Sequence, residues 1–264
     1  MLGLMQDWPL LVHRVLDHAA RWHGNTEIVS RSVEGPIHRT SYAELDRRSR
    51  ALASAVKKRL GVELGTITAT MAWNTWRHLE IWYAVMGQGG IVHTLNPRLF
   101  ADQLVYIVNH AGDRWIFTDL SFVPVFEKLQ DKLPTVEGFI VMTGRAHMPA
   151  QTALRNPLCY EELIAEGDAN FAWPEFDENT ACGMCYTSGT TGNPKGVVYS
   201  HRSNVLHGLM CCLAEAMGTS SRDAIMPVVP MFHANAWSLA FPRPSPAPSW
   251  CCRAPSSTAP RSMN

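Results

Sequence analysis

Apolar and polar positions over residues 41–142 alternate between helical and strand periods. Ser41-Tyr-Ala-Glu44 has the spacing of a capping box, and apolar residues recur at helical intervals after it, which predicts a helix. The β-branched run Thr66–Met71 predicts a strand. The same patterns predict further helices over 75–86, 102–111 and 123–132 and strands over 91–94, 115–118 and 139–142. This order predicts an α/β fold with a mainly parallel sheet and helices on both faces.

Later segments depart from this alternation. Residues 143–178 contain more Pro, Ala and polar residues, and we expect them to form a surface excursion. The apolar run Ala181–Tyr186 then predicts a buried strand, and a helical pattern begins near His201. Ligands of parallel α/β sheets bind beyond the carboxyl ends of strands, so the connection between these two elements is expected at a binding edge.

That connection, Tyr186-Thr-Ser-Gly-Thr-Thr-Gly-Asn-Pro-Lys-Gly196, combines glycines, hydroxyls and a lysine. A polyphosphate is bound by such groups: backbone N–H groups that turn inward, hydroxyl donors and a mobile cation. The segment is not a Walker A loop, because Pro194 precedes Lys195 and Gly196 follows it. Clusters of Ser, Thr and Gly are also typical of ordinary turns. Lys195 and the strand–loop–helix context favour phosphate binding.

Composition narrows the classes of function. The 264 residues are 46% hydrophobic and 17% charged with a formal net charge of zero, which is ordinary for a globular protein. Nothing in the overall charge favours nucleic acid or an anionic membrane. Arg47, Arg48 and the basic run 57–59 share one predicted helix, which we interpret as a solvated face rather than a nucleic-acid site. With no secretory or transmembrane pattern, we expect a cytoplasmic protein.

The seven cysteines do not form a metal or disulfide pattern. Cys182 and Cys185 have CxxC spacing, but they lie in a predicted strand whose alternate residues point to opposite faces, so their side chains are expected to diverge. The others include the adjacent pairs 211–212 and 251–252, which rarely hold one metal alone. We interpret the cysteines as buried thiols in a reducing compartment.

The loop resembles the signature of the adenylate-forming (AMP-dependent synthetase/ligase) superfamily, Thr-Ser-Gly-Thr-Thr-Gly-x-Pro-Lys-Gly. Other segments resemble its fatty-acyl-CoA synthetase branch, and most of all bacterial medium- and long-chain fatty-acid–CoA ligases. These segments are Met71-Ala-Trp-Asn-Thr-Trp-Arg-His-Leu-Glu80, His93-Thr-Leu-Asn-Pro-Arg-Leu-Phe100, Tyr106-Ile-Val-Asn-His-Ala111 and Pro227-Val-Val-Pro-Met-Phe-His-Ala-Asn-Ala-Trp237. The resemblance covers about residues 1–240 and implies a partial N-terminal AMP-binding domain with its phosphate loop at 186–196.

The resemblance implies a two-step reaction. ATP activates a medium- or long-chain fatty acid to acyl-AMP, and coenzyme A then displaces AMP to form a thioester; Mg²⁺ accompanies the ATP. The resemblance also implies a homodimer through the N-terminal region. Lys195 is implied to be catalytic, and Thr187 is placed near Mg²⁺. The residues implied to hold the ATP phosphates are Thr187, Ser188, Gly189, Thr190, Thr191, Gly192 and Lys195.

His233 and Trp237 are the other candidate site residues. By resemblance, His233 lies between the acyl and nucleotide sites and is catalytic; by itself, such a residue is more often a hydrogen-bonded loop histidine. By resemblance, Trp237 is an aromatic gate at the mouth of the acyl tunnel; a large aromatic is otherwise more often part of a core. Both are therefore interpreted as substrate-site residues on the strength of the resemblance.

The segment 241–264 is rich in Pro, Ser and Arg and has no strand or helix period. With suitable codons, residues 253–264 back-translate to DNA that reads Gly-Pro-Lys-Leu-Asp-Gly-Ala-Ser-Ile-Tyr-Glu in another frame, which looks like the family's continuation. We therefore expect an aberrant tail produced by a frameshift shortly after Trp237. The C-terminal domain and its motifs are then absent, and this chain is expected to be poorly soluble and inactive.

Three hypotheses for the function stay open. The first is an AMP-forming fatty-acid–CoA ligase interrupted after its phosphate loop. The second is a ligase of the same superfamily for an aryl or other carboxylic acid. The third is a non-catalytic remnant that binds a nucleotide or an acyl group without turnover.

Overall fold

The computed structural model describes residues 1, 3, 5, 7–187 and 192–241, together with the backbone of 249–253. The helices are α1 His13–His23, α2 Tyr42–Leu60, α3 Trp76–Gly87, α4 Ala101–Ala111, α5 Val123–Leu129, α6 Tyr160–Ala165 and α7 His201–Cys211. The strands are β1 Glu27–Arg31, β2 Ile37–Ser41, β3 Ile67–Met71, β4 Ile91–Thr94, β5 Trp115–Thr118, β6 Gly138–Val141, β7 Pro157–Cys159, β8 Ala181–Thr187, β9 Lys195–Ser200, β10 Ala224–Ile225 and β11 Ser249–Arg253.

The larger sheet has seven strands in the order β7-β6-β5-β3-β4-β8-β9. Every neighbouring pair is parallel except β8 and β9, which pair antiparallel. Helical crossovers connect β3 to β4 and β4 to β5, as parallel pairing requires. The predicted α/β class with a mainly parallel sheet is confirmed.

Helices cover both faces of this sheet, as predicted. Successive residues of β5 belong to two different apolar clusters: Trp115 and Phe117 pack with α1, α2 and α3, whereas Ile116 packs with α4 and α5. The same division occurs in β6, where Ile140 and Val141 face opposite clusters. The alternation of strand side chains therefore produces two cores, one on each side of the sheet.

The predicted helix and strand positions agree closely with the structure. Ser41 caps α2, and its hydroxyl accepts a hydrogen bond from the Glu44 N–H at 3.3 Å, as the capping-box spacing predicts. The helix predicted over 123–132 ends earlier, because α5 stops at Leu129 and a 3₁₀ turn, Gln130–Lys132, follows it. The elements that the local patterns predicted therefore differ from the structure only at their ends, whereas α1, β1 and β2 were not predicted.

The expectation of a surface excursion over 143–178 is wrong for its middle. The segment contributes β7, which extends the sheet beyond β6, and α6, whose Tyr160 is fully buried. The Tyr160 hydroxyl donates to Glu80 Oε2 at 2.8 Å and anchors this segment to α3. Elements of three and six residues are too short to show a hydrophobic period, which is why the sequence did not indicate them.

A second sheet has the strand order β10-β11-β1-β2. In it, β11 pairs parallel with both β1 and β10. The expectation that 241–264 holds no regular structure is therefore wrong for Ser249–Arg253. These five residues contain no proline, so their backbone can pair with the edge of β1.

None of the helices within the described residues combines the length and apolarity that a membrane span requires.

Candidate functional site

Strands β8 and β9 place the two ends of the loop at the carboxyl edge of the sheet. β8 runs parallel to β4, so Thr187 lies at its carboxyl end, and β9 returns from that edge. Thr187 and Lys195 are register partners, and the Thr187 hydroxyl donates to the Lys195 carbonyl at 3.4 Å. The predicted position of the loop, beyond a buried parallel strand, is confirmed. Ser188, Gly189, Thr190 and Thr191 lie outside the described residues.

Lys195 is the first residue of a strand rather than a member of the turn. Its side chain is exposed, and within the described residues no carboxylate forms an ion pair with it. Gly192 has φ +96°, a left-handed conformation that residues with a side chain rarely adopt, so this turn uses backbone freedom particular to glycine. The arrangement places an exposed cation, with no carboxylate partner among the described residues, at the sheet edge where an anion can approach it.

A buried polar pair supports the end of β8. His93 Nδ1 on β4 lies 2.8 Å from Asp113 Oδ2, and both side chains are fully buried. The Tyr186 ring packs 5.1 Å from the His93 ring, and its hydroxyl lies 2.6 Å from His110 Nδ1. Burial raises the pKa of Asp113, although its contact with His93 opposes that shift. Strand β8 is therefore braced just before Thr187.

Sequence reasoning did not find this support. His93 and Asp113 are 20 residues apart on different elements, and Tyr186 and His110 are 76 residues apart. Neither pair has a recognisable spacing. The only signal in the sequence was indirect: His93 and His110 both lie in segments that carried the family resemblance.

His233 lies in the connection that follows β10, residues 226–241, and this connection returns to the same edge of the sheet. The His233 side chain is exposed, and the His233 backbone N–H donates to the Pro230 carbonyl at 2.9 Å. The next turn contacts β4, because the Thr94 hydroxyl donates to Asn235 Oδ1 at 3.3 Å. Thr94 is the last residue of β4 and the register partner of Cys185 on β8. The connection that carries His233 therefore contacts β4, the strand that pairs with β8.

Trp237 is 53% exposed and does not belong to either apolar cluster. Asn235, Ala236 and Trp237 have φ of 51°, 49° and 56°, so three consecutive non-glycine residues adopt left-handed geometry. Such a run is strained and persists where surrounding contacts enforce it. The turn presents the indole to solvent, and its predicted role as an acyl gate stays a prediction.

The described residues contain no group of three or more His, Cys, Asp or Glu side chains arranged to hold a metal ion. Thr187 therefore remains the one candidate near Mg²⁺ among the predicted site residues. A hydroxyl oxygen can be one ligand of a Mg²⁺ ion whose other ligands come mainly from nucleotide phosphates and water.

Burial makes the two cysteines of β8 unsuited to catalysis, because it raises the pKa of both thiols. Cys182 contacts Asn204 Nδ2 at 3.1 Å, whereas Cys185 lies 3.7 Å from the Tyr199 hydroxyl, so the predicted divergence is confirmed. Burial raises the pKa of Cys182 to about 12, which keeps it a thiol near neutral pH. The five cysteines whose side chains are described are all free.

Comparison with known sequences identifies relatives of this chain. A family model described as AMP-binding enzyme matches residues 16–243. The chain is 50% identical over 237 residues to 3-methylmercaptopropionyl-CoA ligase of Ruegeria lacuscaerulensis, covering 90% of this chain and 44% of the relative. It is 46% identical over 243 residues to medium-chain-fatty-acid–CoA ligase of Ectopseudomonas oleovorans, covering 91% and 44%. The chain spans less than half the length of these curated relatives.

Solved structures share the fold. A long-chain-fatty-acid–CoA ligase of Archaeoglobus fulgidus matches with a TM-score of 0.79 at 22% identity, covering 96% of this chain and 49% of that one. An anthranilate CoA ligase in complex with anthranoyl-AMP matches with a TM-score of 0.79 at 18% identity, covering 94% and 46%. The sequence match and the fold agree: the chain belongs to the AMP-binding enzyme family of adenylate-forming proteins.

Proposed function

We propose that this chain is the N-terminal part of an AMP-forming acyl-CoA ligase and carries its pyrophosphate-binding half. The observation that carries the proposal is the exposed Lys195, without a carboxylate partner among the described residues, opposite Thr187 at the carboxyl edge of β8. Relatives named as CoA ligases match 90–91% of the chain, which supports this assignment.

The proposed first step brings a carboxylate to a polyanion, so it depends on charge neutralisation more than on covalent catalysis. A carboxylate oxygen attacks the α-phosphorus of ATP, and the bond from that phosphorus to the bridging oxygen breaks. Pyrophosphate leaves with the bonding electron pair, and acyl-AMP forms. The Lys195 ammonium and the loop hydroxyls would stabilise the negative charge on pyrophosphate as it departs, and Mg²⁺ bound to the nucleotide would share that charge.

In the second step, the thiol of coenzyme A gives up its proton to solvent and its sulfur attacks the acyl carbon; the bond from that carbon to the phosphate oxygen breaks, and AMP leaves with the electron pair. We propose that His233 contacts the reacting acyl-adenylate and that Trp237 stands at the entrance for the acyl group. The support is their shared connection, which contacts β4 beside the phosphate-loop strand through Thr94 and Asn235.

For the acid, we propose a medium- or long-chain fatty acid. One relative is named for medium-chain fatty acids, and another, 43% identical, is named for long-chain ones in Thermus thermophilus. The alternative is a shorter or aryl acid. The 50% identity to a 3-methylmercaptopropionyl-CoA ligase favours keeping a short acid in the test.

We further propose that the reading frame changes shortly after Trp237 and that this 264-residue chain therefore binds ATP phosphates without turnover. The family match ends at residue 243, and the Pro-, Ser- and Arg-rich tail follows. The resemblance also predicts a homodimer, which sedimentation would test, and the sequence pattern predicts a cytoplasmic location, which fractionation would test.

Two measurements test these proposals. Isothermal titration of the purified chain with Mg·ATP should show binding, and fatty-acid-dependent ATP–pyrophosphate exchange should be absent. Exchange well above a no-enzyme control would overturn the proposed inactivity, and absence of nucleotide binding would contradict the phosphate site.

A second experiment identifies the acid. The reading frame is restored after Trp237 so that translation continues into the family's sequence, and thioester formation is measured with octanoate, palmitate, 3-methylmercaptopropionate and benzoate. Preference for either fatty acid supports the proposal. Preference for one of the other two acids would replace it by the alternative.

A further inference from the structure

The side chain of Asn74 holds the connection that precedes His233. Asn74 lies between β3 and α3 and is buried. Its Nδ2 donates to the carbonyls of Pro227 and Val229 at 3.1 and 3.0 Å, and its Oδ1 accepts from the Met231 N–H at 2.8 Å. One carboxamide therefore bonds to three backbone groups within five residues, about 155 positions away along the chain.

Within the described residues, no backbone group of the connection pairs with these three groups. Pro227 and Pro230 lack N–H donors, so regular pairing across this stretch is impossible. Val228 is highly exposed, so little apolar burial holds the middle of the stretch. The Asn74 carboxamide supplies these partners: its two N–H donors bond to the two carbonyls, and its oxygen accepts from the one backbone N–H.

Other residues of the central elements hold the far end of the same connection. The Thr94 hydroxyl donates to Asn235, and the Tyr83 hydroxyl donates to the Ala240 carbonyl at 2.7 Å. The ring of Phe241 stacks on Trp82 with centroids 5.5 Å apart. With both ends held, His233 and the left-handed turn after it lie between fixed points.

We propose that Asn74 is a positioning residue: by holding residues 227–231, it sets the place and orientation of His233. The clamp itself is a property of the fold. Its importance for catalysis rests on the proposed function, in which His233 contacts the acyl-adenylate. Asn74 belongs to one segment that resembles the family and His233 to another, and the structure joins the two.

Asn74→Asp tests the clamp in the chain as it exists. The substitution preserves shape and the acceptor for Met231 but replaces two donations by a carboxylate facing two carbonyls, which is repulsive. The matched control is Asn109→Asp, because Asn109 Nδ2 donates to one carbonyl, that of Lys132, on another part of the fold. Hydrogen exchange by mass spectrometry reports each segment separately, and histidine ring signals in NMR report the surroundings of His233.

In Asn74→Asp we expect amide exchange over 227–241 to accelerate about tenfold or more, with exchange in β4 and β5 unchanged. We also expect the His233 ring signals, assigned by their loss in His233→Gln, to move while those of His147 do not. The control variant should leave both readouts as in the wild type. Unchanged exchange over 227–241, equal acceleration everywhere, or an unmoved His233 signal would overturn the proposal. None of these readouts needs ATP binding. A negative result would therefore contradict the Asn74 clamp without contradicting the proposed function.

Discussion

Thr187 and Lys195 face each other across the antiparallel pair β8 and β9, and the Thr187 hydroxyl donates to the Lys195 carbonyl at 3.4 Å. The cation of the phosphate-loop motif is therefore attached to a paired strand, not to the turn. Such pairing limits where the lysine backbone can move, while the exposed side chain keeps its reach.

Removal of the Lys195 charge should weaken polyphosphate binding by this chain. A charge-assisted hydrogen bond contributes about 1.5–3 kcal/mol, so we expect Lys195→Met to raise the dissociation constant for Mg·ATP about 10- to 100-fold. Lys195→Arg should lose less affinity for Mg·ATP, because arginine retains the positive charge. Isothermal titration measures all three proteins.

The control for this prediction is Lys58→Met, which removes an exposed lysine of α2. Both substitutions change the net charge equally. Equal affinities for the Lys195→Met and Lys58→Met proteins would show that Lys195 does not bind phosphate.

Adjacent arginines of α2 should differ greatly in their contribution to stability. Arg48 makes two hydrogen bonds to Glu80, at 2.6 and 3.1 Å, and the two side chains are 16% and 1% exposed. Removing one partner of such a pair leaves a buried charge uncompensated, so Arg48→Ala should destabilise the fold by about 3–5 kcal/mol. Arg47 pairs with Glu44 at the surface, with exposures of 57% and 41%.

Arg47→Ala is the matched control and should cost about 1 kcal/mol or less. Urea denaturation of the three proteins gives the free energies of unfolding. Similar losses for the two variants would contradict the assignment of Arg48 and Glu80 as a buried pair.

The buried His78 should make the fold sensitive to acid. Burial lowers its pKa to about 4, while its neighbours are the Trp73 carbonyl and the Thr70 hydroxyl. The unfolded chain takes up this proton near pH 6.5 and the folded chain does not, so stability is lost as the pH falls from about 6.5 to about 4. The total loss from this group is about 3 kcal/mol.

His78→Gln keeps hydrogen-bonding atoms but cannot take up the proton. Asp119, whose pKa burial raises to about 7, acts in the opposite direction over the same range. The informative quantity is therefore the difference in unfolding free energy between the wild type and His78→Gln at each pH. A difference that does not vary between pH 7 and pH 4 would refute the prediction.

The outer face of α7 should cause self-association. Three apolar side chains of α7, Leu206, Leu209 and Met210, together with Leu213 just after the helix, follow the spacing i, i+3, i+4, i+7, and each is more than a third exposed. The opposite face of the same helix is buried and includes Val205 and Cys211, so α7 carries apolar side chains on both sides, and adjacent exposed apolar side chains favour association. We expect Leu206→Glu combined with Met210→Lys to raise the monomeric fraction several-fold in light scattering, since it also adds an i, i+4 ion pair.

A control for net charge is Thr135→Glu combined with Gln151→Lys, at exposed polar positions elsewhere. That protein should associate like the wild type. An equal gain of monomer in both double variants would show that charge in general, and not the α7 face, governs association.

Much of the fold could be predicted from sequence because its signals are local. Ser41 and Glu44 predicted the start of α2, and the apolar run before Thr187 predicted β8. The short elements β7 and α6 were not predicted, because neither is long enough to show a hydrophobic period. Strand β11 was not predicted, because its pairing with β1 depends on tertiary contact. Likewise, the motif identified Lys195 but not that the lysine begins a strand.

By itself, the sequence determined the class of the fold, the carboxyl-edge position of the loop and the chemistry that a Gly-, Thr- and Lys-containing loop can offer to phosphate. Only the tertiary structure decided which side chains meet there: His93 with Asp113, and Asn74 with the connection before His233. The physical reason is that periodicity reports which face of an element is buried. Hydrogen-bond partners are decided by the way the chain crosses between strands, which brings together His93 and Asp113 from 20 positions apart and Asn74 and Met231 from 157 positions apart.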